Sequence, residues 1–233
     1  MNHVILEILL GAAAAILAIT LHEAAHGYAA WALGDDTAKL AHRLSLNPIR
    51  HVDRVGTIIL PGVLVIVQLI AFGRVEFLFG WAKPVPVSAW RFRDPRRGMA
   101  LVAAAGPAMN FFLAWVGALC GWLLPHVSPQ MMAPAATFLQ YFILSNIVLG
   151  LFNLLPIPPL DGGRIVVGIL PLPLAMRWAR MERAGIAVVL LIVFLLPAAA
   201  REFGFQFDPI GAILNTVVPW TMRLVFNLAG QSV

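Results

Sequence analysis

One cysteine in 233 residues excludes a disulfide framework and every cysteine-rich zinc module. Charge is also scarce, at 12% of residues, where a soluble domain carries about a quarter. Lysine is nearly missing, with Lys39 and Lys83 against 14 arginines. The net charge of +5 therefore reads as basic residues flanking apolar segments, not as a nucleic-acid surface. There is no internal repeat, no low-complexity stretch and no long polar linker. What is abundant is hydrophobicity: 61% of residues belong to the hydrophobic set, and the mean hydropathy is +0.87. Disorder, collagen and nucleic-acid partners are excluded, and the lipid bilayer becomes the expected surroundings.

Apolar runs of about 18 residues or more mark candidate spans. They lie at 4–33, 98–124 and 135–158, with shorter or broken runs at 57–79 and 184–200. A mixed segment at 210–228 carries Ile210, Leu214, Val217, Val218 and Val225 at helical spacing. It is either a last span on the bundle or an interfacial helix. The first run lacks a basic leader and a small-residue cleavage site, so it is expected to be a retained helix. The polar stretches 34–56 and 80–97 are too short for an appended soluble domain. The expectation is an all-α polytopic membrane protein, a helical bundle of about four to six membrane segments forming one domain over 1–233.

The first run contains Thr20-Leu21-His22-Glu23-Ala24-Ala25-His26-Gly27. Histidines four apart share one helical face, so both imidazoles reach a single metal ion. Glu23 lies about 100° round the helix from His22, close enough to serve a metal-bound water without ligating the metal. That is the division of labour of a zinc peptidase: zinc lowers the pKa of its water to about 7, and the carboxylate takes the proton as the water attacks a carbonyl. The pattern also arises by chance in soluble proteins. Here, however, a carboxylate near the bilayer centre costs about 2.5–3.5 kcal/mol, so three titratable groups within five residues call for a cation.

Catalytic zinc usually takes three protein ligands. Cys120 lies among apolar residues and reads as an inert buried thiol. His42 and His51 fall in a basic loop and His126 in a Pro-bounded turn, while Asp35, Asp36, Asp53 and Asp94 sit in polar loops. Asp161 differs, because it follows Asn153-Leu154-Leu155-Pro156-Ile157-Pro158-Pro159-Leu160 and precedes Gly162-Gly163. Three prolines block regular helix there and two glycines permit tight bends. Such backbone at membrane depth is tolerated only in a protein interior or a wet cavity. Asp161 is the expected third ligand of one catalytic Zn2+ held with His22 and His26; the alternative is an ordinary Asp-Gly turn.

Together these motifs resemble the site-2 protease family of intramembrane zinc metalloproteases. The resemblance rests on His22-Glu23-x-x-His26, Gly106-Pro107-x-x-Asn110 and Asn153 through Gly163, in that order. Gly34 through Lys39, Leu46-Asn47-Pro48 and Gly80 through Val87 resemble its compact bacterial branch, which carries no appended peptide-binding or nucleotide-binding domain. The likeness covers about residues 20–170. Two positions depart from it: His42 stands where that branch usually has Gly, and Arg54 where Pro often follows the loop Asp. The resemblance implies zinc on His22, His26 and Asp161, Glu23 as general base, and Asn153 bonded to the substrate backbone. Read alone, Asn153 is a buried amide in need of partners, with helix packing the alternative. Asn110 reads as glue between helices beside small residues.

The implied activity is hydrolysis of peptide bonds in or near transmembrane segments of membrane-bound regulatory proteins. A helical substrate has its carbonyls tied up in i to i−4 bonds and must be unwound. Lys83-Pro84-Val85-Pro86-Val87 is a candidate edge for holding the unwound strand, or else a plain Pro-rich loop. The competing class is a metal-binding transporter or permease, which calls for polar groups lining a path. Gln68, Thr137, Gln140 and Ser145 are too scattered for that.

Charge counting gives a topology. Loop 34–56 holds four Lys/Arg, 74–97 holds six, 159–183 holds four and 125–134 none. If 57–79 crossed the bilayer, the first two basic loops would face opposite sides, against the positive-inside rule. A re-entrant hairpin at 57–79, broken early by Pro61-Gly62, keeps all three basic loops cytoplasmic. The expectation is a multi-pass protein of the bacterial inner membrane.

Overall fold

The computed structural model describes residues 2–73, 80 and 82–231. Among the described residues there is no strand, and the helices follow one another along the chain. They are α1 (Asn2–Ala32), α2 (Thr37–Leu40), α3 (Leu60–Phe72), α4 (Pro95–Cys120), α5 (Pro129–Asn153), α6 (Asp161–Ile169), α7 (Leu172–Arg180), α8 (Gly185–Leu190), α9 (Leu196–Glu202) and α10 (Pro209–Leu228). Four helical stretches are long and apolar enough to cross a membrane: Ile5–Ala32, Pro95–His126, Pro129–Asn153 and Pro209–Leu228. This is the expected all-α polytopic bundle.

Local chemistry sets the helix starts. Pro95 and Pro129 occupy first-turn positions, where a missing N–H costs nothing. Asp94 accepts from the amides of Arg96 and Arg97 and so caps α4. The buried side of α4 is small at every fourth position: Gly98, Val102, Gly106, Asn110, Ala114 and Ala118. Without a hydrophobic drive between helices in lipid, such small faces let backbones approach and pack. α1 meets this face with Ala14, Ala18, His22 and Ala30, again four or eight apart, all buried. Large apolar side chains such as Ile8, Leu9 and Ile70 point outward, as lipid permits.

The C-terminal segment packs on the bundle and is long and apolar enough to cross a membrane. Val225 and Ala229 join Ala114, Ala118, Ile143 and Ile147 in one buried cluster, with Val218, Met222 and Phe226 against it. Its end is pinned beside the end of α4: Trp115 Nε1 donates to Leu228 O at 3.2 Å and Trp122 Nε1 to Ala229 O at 2.9 Å.

The segment 57–79 is partly outside the described residues. Its described limb is one helical run, a π-turn at Arg54–Ile59 passing into α3, with Pro61 in the first turn of α3. Pro61-Gly62 therefore do not break it as expected; the turn comes at Gly73, whose φ of +69° suits glycine. The chain nonetheless returns to the side it left. Lys83 N donates to His51 O at 2.8 Å, Arg43 Nη2 donates to Lys83 O at 2.8 Å, and Ser88 N donates to Asp35 Oδ2 at 2.6 Å. Loops 34–56 and 82–94 are one structure, which a net crossing between them would forbid. Cysteines placed at Ser45 and Ser88 in a Cys120→Ser background should respond alike to an impermeant thiol reagent. Labelling of one from the outside and the other only from the inside would show that 57–79 crosses. His42 follows α2 with a φ of +53°, the left-handed region that glycine adopts without strain.

Candidate metal centre

α1 and α4 run antiparallel, and their two small-residue faces meet at the histidines. His26 Nδ1 lies 2.7 Å from Val102 O, and His22 Nδ1 lies 2.6 Å from Asn110 Oδ1. Gly106 sits between these contacts. A Cβ built on it would stand 2.5–2.6 Å from His26 Cε1, His22 Cε1 and His26 Nε2. Only glycine leaves both rings in place. Gly106→Ala should weaken zinc binding and cut activity about 100-fold, since a displacement near 1 Å costs that much in an oriented site. Zinc titration of the purified variant checks this, and unchanged affinity would show that the rings tolerate the shift.

The third group comes from beyond α5. Residues 154–160 leave α5 through short turns that include a cis Pro158–Pro159 bond, and Asp161 opens α6. The turn is so tight that a Cβ on Gly162 would meet Leu154 O at 2.3 Å, and one on Gly163 would meet Pro158 N at 2.6 Å. Close backbone passage thus explains both glycines and delivers Asp161 to the α1–α4 seam. Asp161 is the first residue of a regular helix, not part of an irregular stretch.

His22 Nε2 and His26 Nε2 are 3.0 Å apart, and Asp161 Oδ2 lies 3.1 Å and 3.3 Å from them. Because each Nδ1 faces an oxygen acceptor, each ring proton belongs on Nδ1, and each Nε2 presents a lone pair. Asp161 Oδ2 is buried with no hydrogen-bond partner. Three lone-pair atoms thus converge on one point, an arrangement suited to a cation. Zinc–ligand distances of about 2.0–2.1 Å at tetrahedral angles place two ligand atoms about 3.3 Å apart, which this triangle matches. Among the described residues, no other group of three His, Cys, Asp or Glu side chains is placed to hold a metal. Cys120, His42, His51 and His126 are not part of it.

Glu23, next to His22, accepts from Val85 N at 3.2 Å. The segment 82–88 therefore lies across the carboxylate, and both its ends are tied. Lys83 is fixed by His51 O and Arg43, and Ser88 by Asp35. Asp35 also accepts from the Thr37 amide and hydroxyl and pairs with Arg91, whose guanidinium bonds Asp36 as well. Burial disfavours the Asp35 carboxylate, but the Thr37 hydroxyl, the Ser88 and Thr37 amides and Arg91 outweigh it, holding it below the usual carboxylate range. This anchor contributes stability above the ordinary Asp value, lost as pH falls through the lowered folded value.

Sequence reasoning passed over two of these roles. Asp35 reads as a loop carboxylate yet is fully buried and fastens the segment over Glu23. Asn110 bridges helices as expected, through Asn146 Oδ1 and Ala18 O, but it also bonds His22, a role the sequence reading did not include. Its spacing after Gly106, one turn along the small face, was the available signal. Asn153 Nδ2 donates to Leu149 O at 3.0 Å, one turn back in α5.

Comparison with known proteins follows the same line. The model of Peptidase family M50 matches residues 123–196, the part that holds Asn153 and Asp161. A protein of Bacillus subtilis (strain 168) named as a candidate zinc metalloprotease, YwhC, is 41% identical over 186 residues, 78% of each chain. Rip2 of Mycobacterium tuberculosis (strain H37Rv), also named as a candidate zinc metalloprotease, is 32% identical over 182 residues, 78% of this chain and 65% of that protein. Its counterpart in Mycolicibacterium smegmatis is 30% identical over 190 residues, 81% of this chain and 67% of that protein. No solved structure matches the chain. A likeness that covers most of both chains, joined to an intramembrane site shaped for zinc, places the chain in peptidase family M50, the site-2 proteases, as an intramembrane zinc metalloprotease.

Proposed function

We propose that His22 Nε2, His26 Nε2 and Asp161 hold one catalytic zinc and that Glu23 is the general base. The observation that carries this is the convergence of three lone-pair atoms 3.0–3.3 Å apart on one buried point. Bound there, zinc lowers the pKa of a water to about 7 and polarises a scissile carbonyl. Glu23, oriented by Val85 N–H, takes the proton of the attacking water and returns it to the leaving amine. The bilayer walls and the packed α1–α4 seam keep bulk water out, which strengthens each of these electrostatic contacts. Asn153, at the end of the helix that leads to Asp161, bonds the substrate backbone.

The substrates are transmembrane segments of membrane-bound regulatory proteins, cut in or near the bilayer by this single domain of the bacterial inner membrane. The four spans support this, as do the basic residues of loops 34–56 and 82–97 on one face. No observation favours a transporter. Purified protein should cleave a single-span test protein, lose activity to a chelator and regain it with zinc. Glycine or proline near the cut should speed cleavage, because local helix opening then costs about 1–3 kcal/mol less. A rate indifferent to helix breakers would refute unwinding as the selective step, and cleavage that persists without metal would refute the zinc centre.

A further inference from the structure

Two buried carboxamides, Asn110 and Asn146, form a directed chain ending on His22. Phe142 O, in α5, can only accept, so Asn146 turns its Nδ2 toward it, at 2.8 Å. That leaves Asn146 Oδ1 facing α4, where it accepts from Asn110 Nδ2 at 2.8 Å. The same Nδ2 lies 3.4 Å from Ala18 O of α1. With its N–H groups committed, Asn110 has only Oδ1 to offer His22 Nδ1, at 2.6 Å. The ring proton is thereby drawn to Nδ1, and the Nε2 lone pair is left at the metal corner.

We propose that Asn110 and Asn146 form a carboxamide relay that fixes the tautomer and orientation of His22 and so sets zinc affinity. Asn110 and Asn146 are positioning residues, and the proposal rests on the zinc reading above. An Asn110 turned end for end would present N–H groups to His22. The proton would then move to Nε2, the atom that must face the metal. The polarity of one backbone carbonyl on α5 prevents this through two side chains. Both amides are 0% exposed, so no water can substitute for a lost partner. The two histidines differ here. His26 Nδ1 relies on the main-chain oxygen of Val102, which no substitution removes, whereas His22 depends wholly on side chains. Outer partners of metal-bound imidazoles raise ligand basicity and fix ring orientation, and their loss typically weakens metal binding 10–100-fold.

The test is zinc affinity of the full chain in detergent, by competition with a chromophoric chelator, alongside its melting temperature without metal. Asn110→Leu, close to isosteric, should weaken zinc 10–100-fold. Asn146→Leu, which touches no ligand, should weaken zinc several-fold, and this effect should vanish in the Asn110→Leu background. Asn110→Asp keeps an acceptor for His22 but turns its second oxygen toward Asn146 Oδ1 and Ala18 O, so it should bind zinc more tightly than Asn110→Leu and less tightly than the wild type. Mere interhelical packing would instead lower the melting temperature and leave the affinity of folded protein unchanged. That result, or an Asn146→Leu effect equal in both backgrounds, would overturn the relay. If Asn110→Leu does not fold, Asn146→Leu decides: the relay stands on weaker zinc binding by the folded Asn146→Leu protein and falls on wild-type affinity. A wild-type chain that binds no zinc, or a His22→Ala chain with unchanged affinity, would instead refute the zinc reading itself.

Discussion

Glu23→Gln should bind one zinc per chain as the wild type does and cleave a single-span substrate about 100- to 10,000-fold more slowly, the range a general base contributes. The amide keeps the size of the carboxylate and can still accept from Val85 N through its oxygen, so the segment 82–88 should stay in place. It cannot take a proton from water at neutral pH. Glu23 is not among the three groups whose donor atoms converge, so metal content should not change. Zinc measured by atomic absorption and cleavage followed on the same preparation give the two readouts. Wild-type turnover would remove Glu23 from the mechanism, and loss of zinc would make it a ligand.

The second large effect is expected at Asp161. Asp161→Asn should lose more than about 100-fold in zinc affinity, beyond the 10–100-fold that follows loss of an outer partner. Its Oδ2 is the only anionic corner of the triangle and has no hydrogen bond holding it. A neutral amide leaves the two imidazoles without a charged partner for the cation. Asp53→Asn is the matched control. Asp53 Oδ1 accepts from Val55 N at 3.0 Å and Gly56 N at 2.7 Å, a capping role that asparagine also performs. Zinc binding and turnover should both survive there. Normal zinc affinity in Asp161→Asn would send the search for the third ligand elsewhere.

These expectations could be framed before any coordinates because α1 is regular. Four residues of helix bring His22 and His26 onto one face whatever surrounds them, and the apolar run makes their presence costly without a cation. Asp161 was legible for a different reason: prolines and paired glycines at a span end mark backbone that must be held by protein. The spacing of small residues in α4 announced a packed face, but not what it packs against. The hairpin expectation came from charge. Pro61-Gly62 does not break the segment early, because proline is tolerated in a first helical turn.

The amino-acid sequence alone thus determined that the chain lives in a bilayer and which helix carries the histidines, and it singled out Asp161 as the expected partner carboxylate. Each depends on composition or on spacing within a few residues. Tertiary structure alone decided the partners of those groups. Asn110 lies 88 positions from His22, and Val85 lies 62 from Glu23. Asp35 reaches across 53 positions to Ser88 to tie down the segment over the base. Such pairings follow from the antiparallel register of α1 on α4 and from where the 57–79 segment returns. No local pattern encodes that register, because in lipid it is set by the fit of whole helix faces and by satisfaction of every buried polar group.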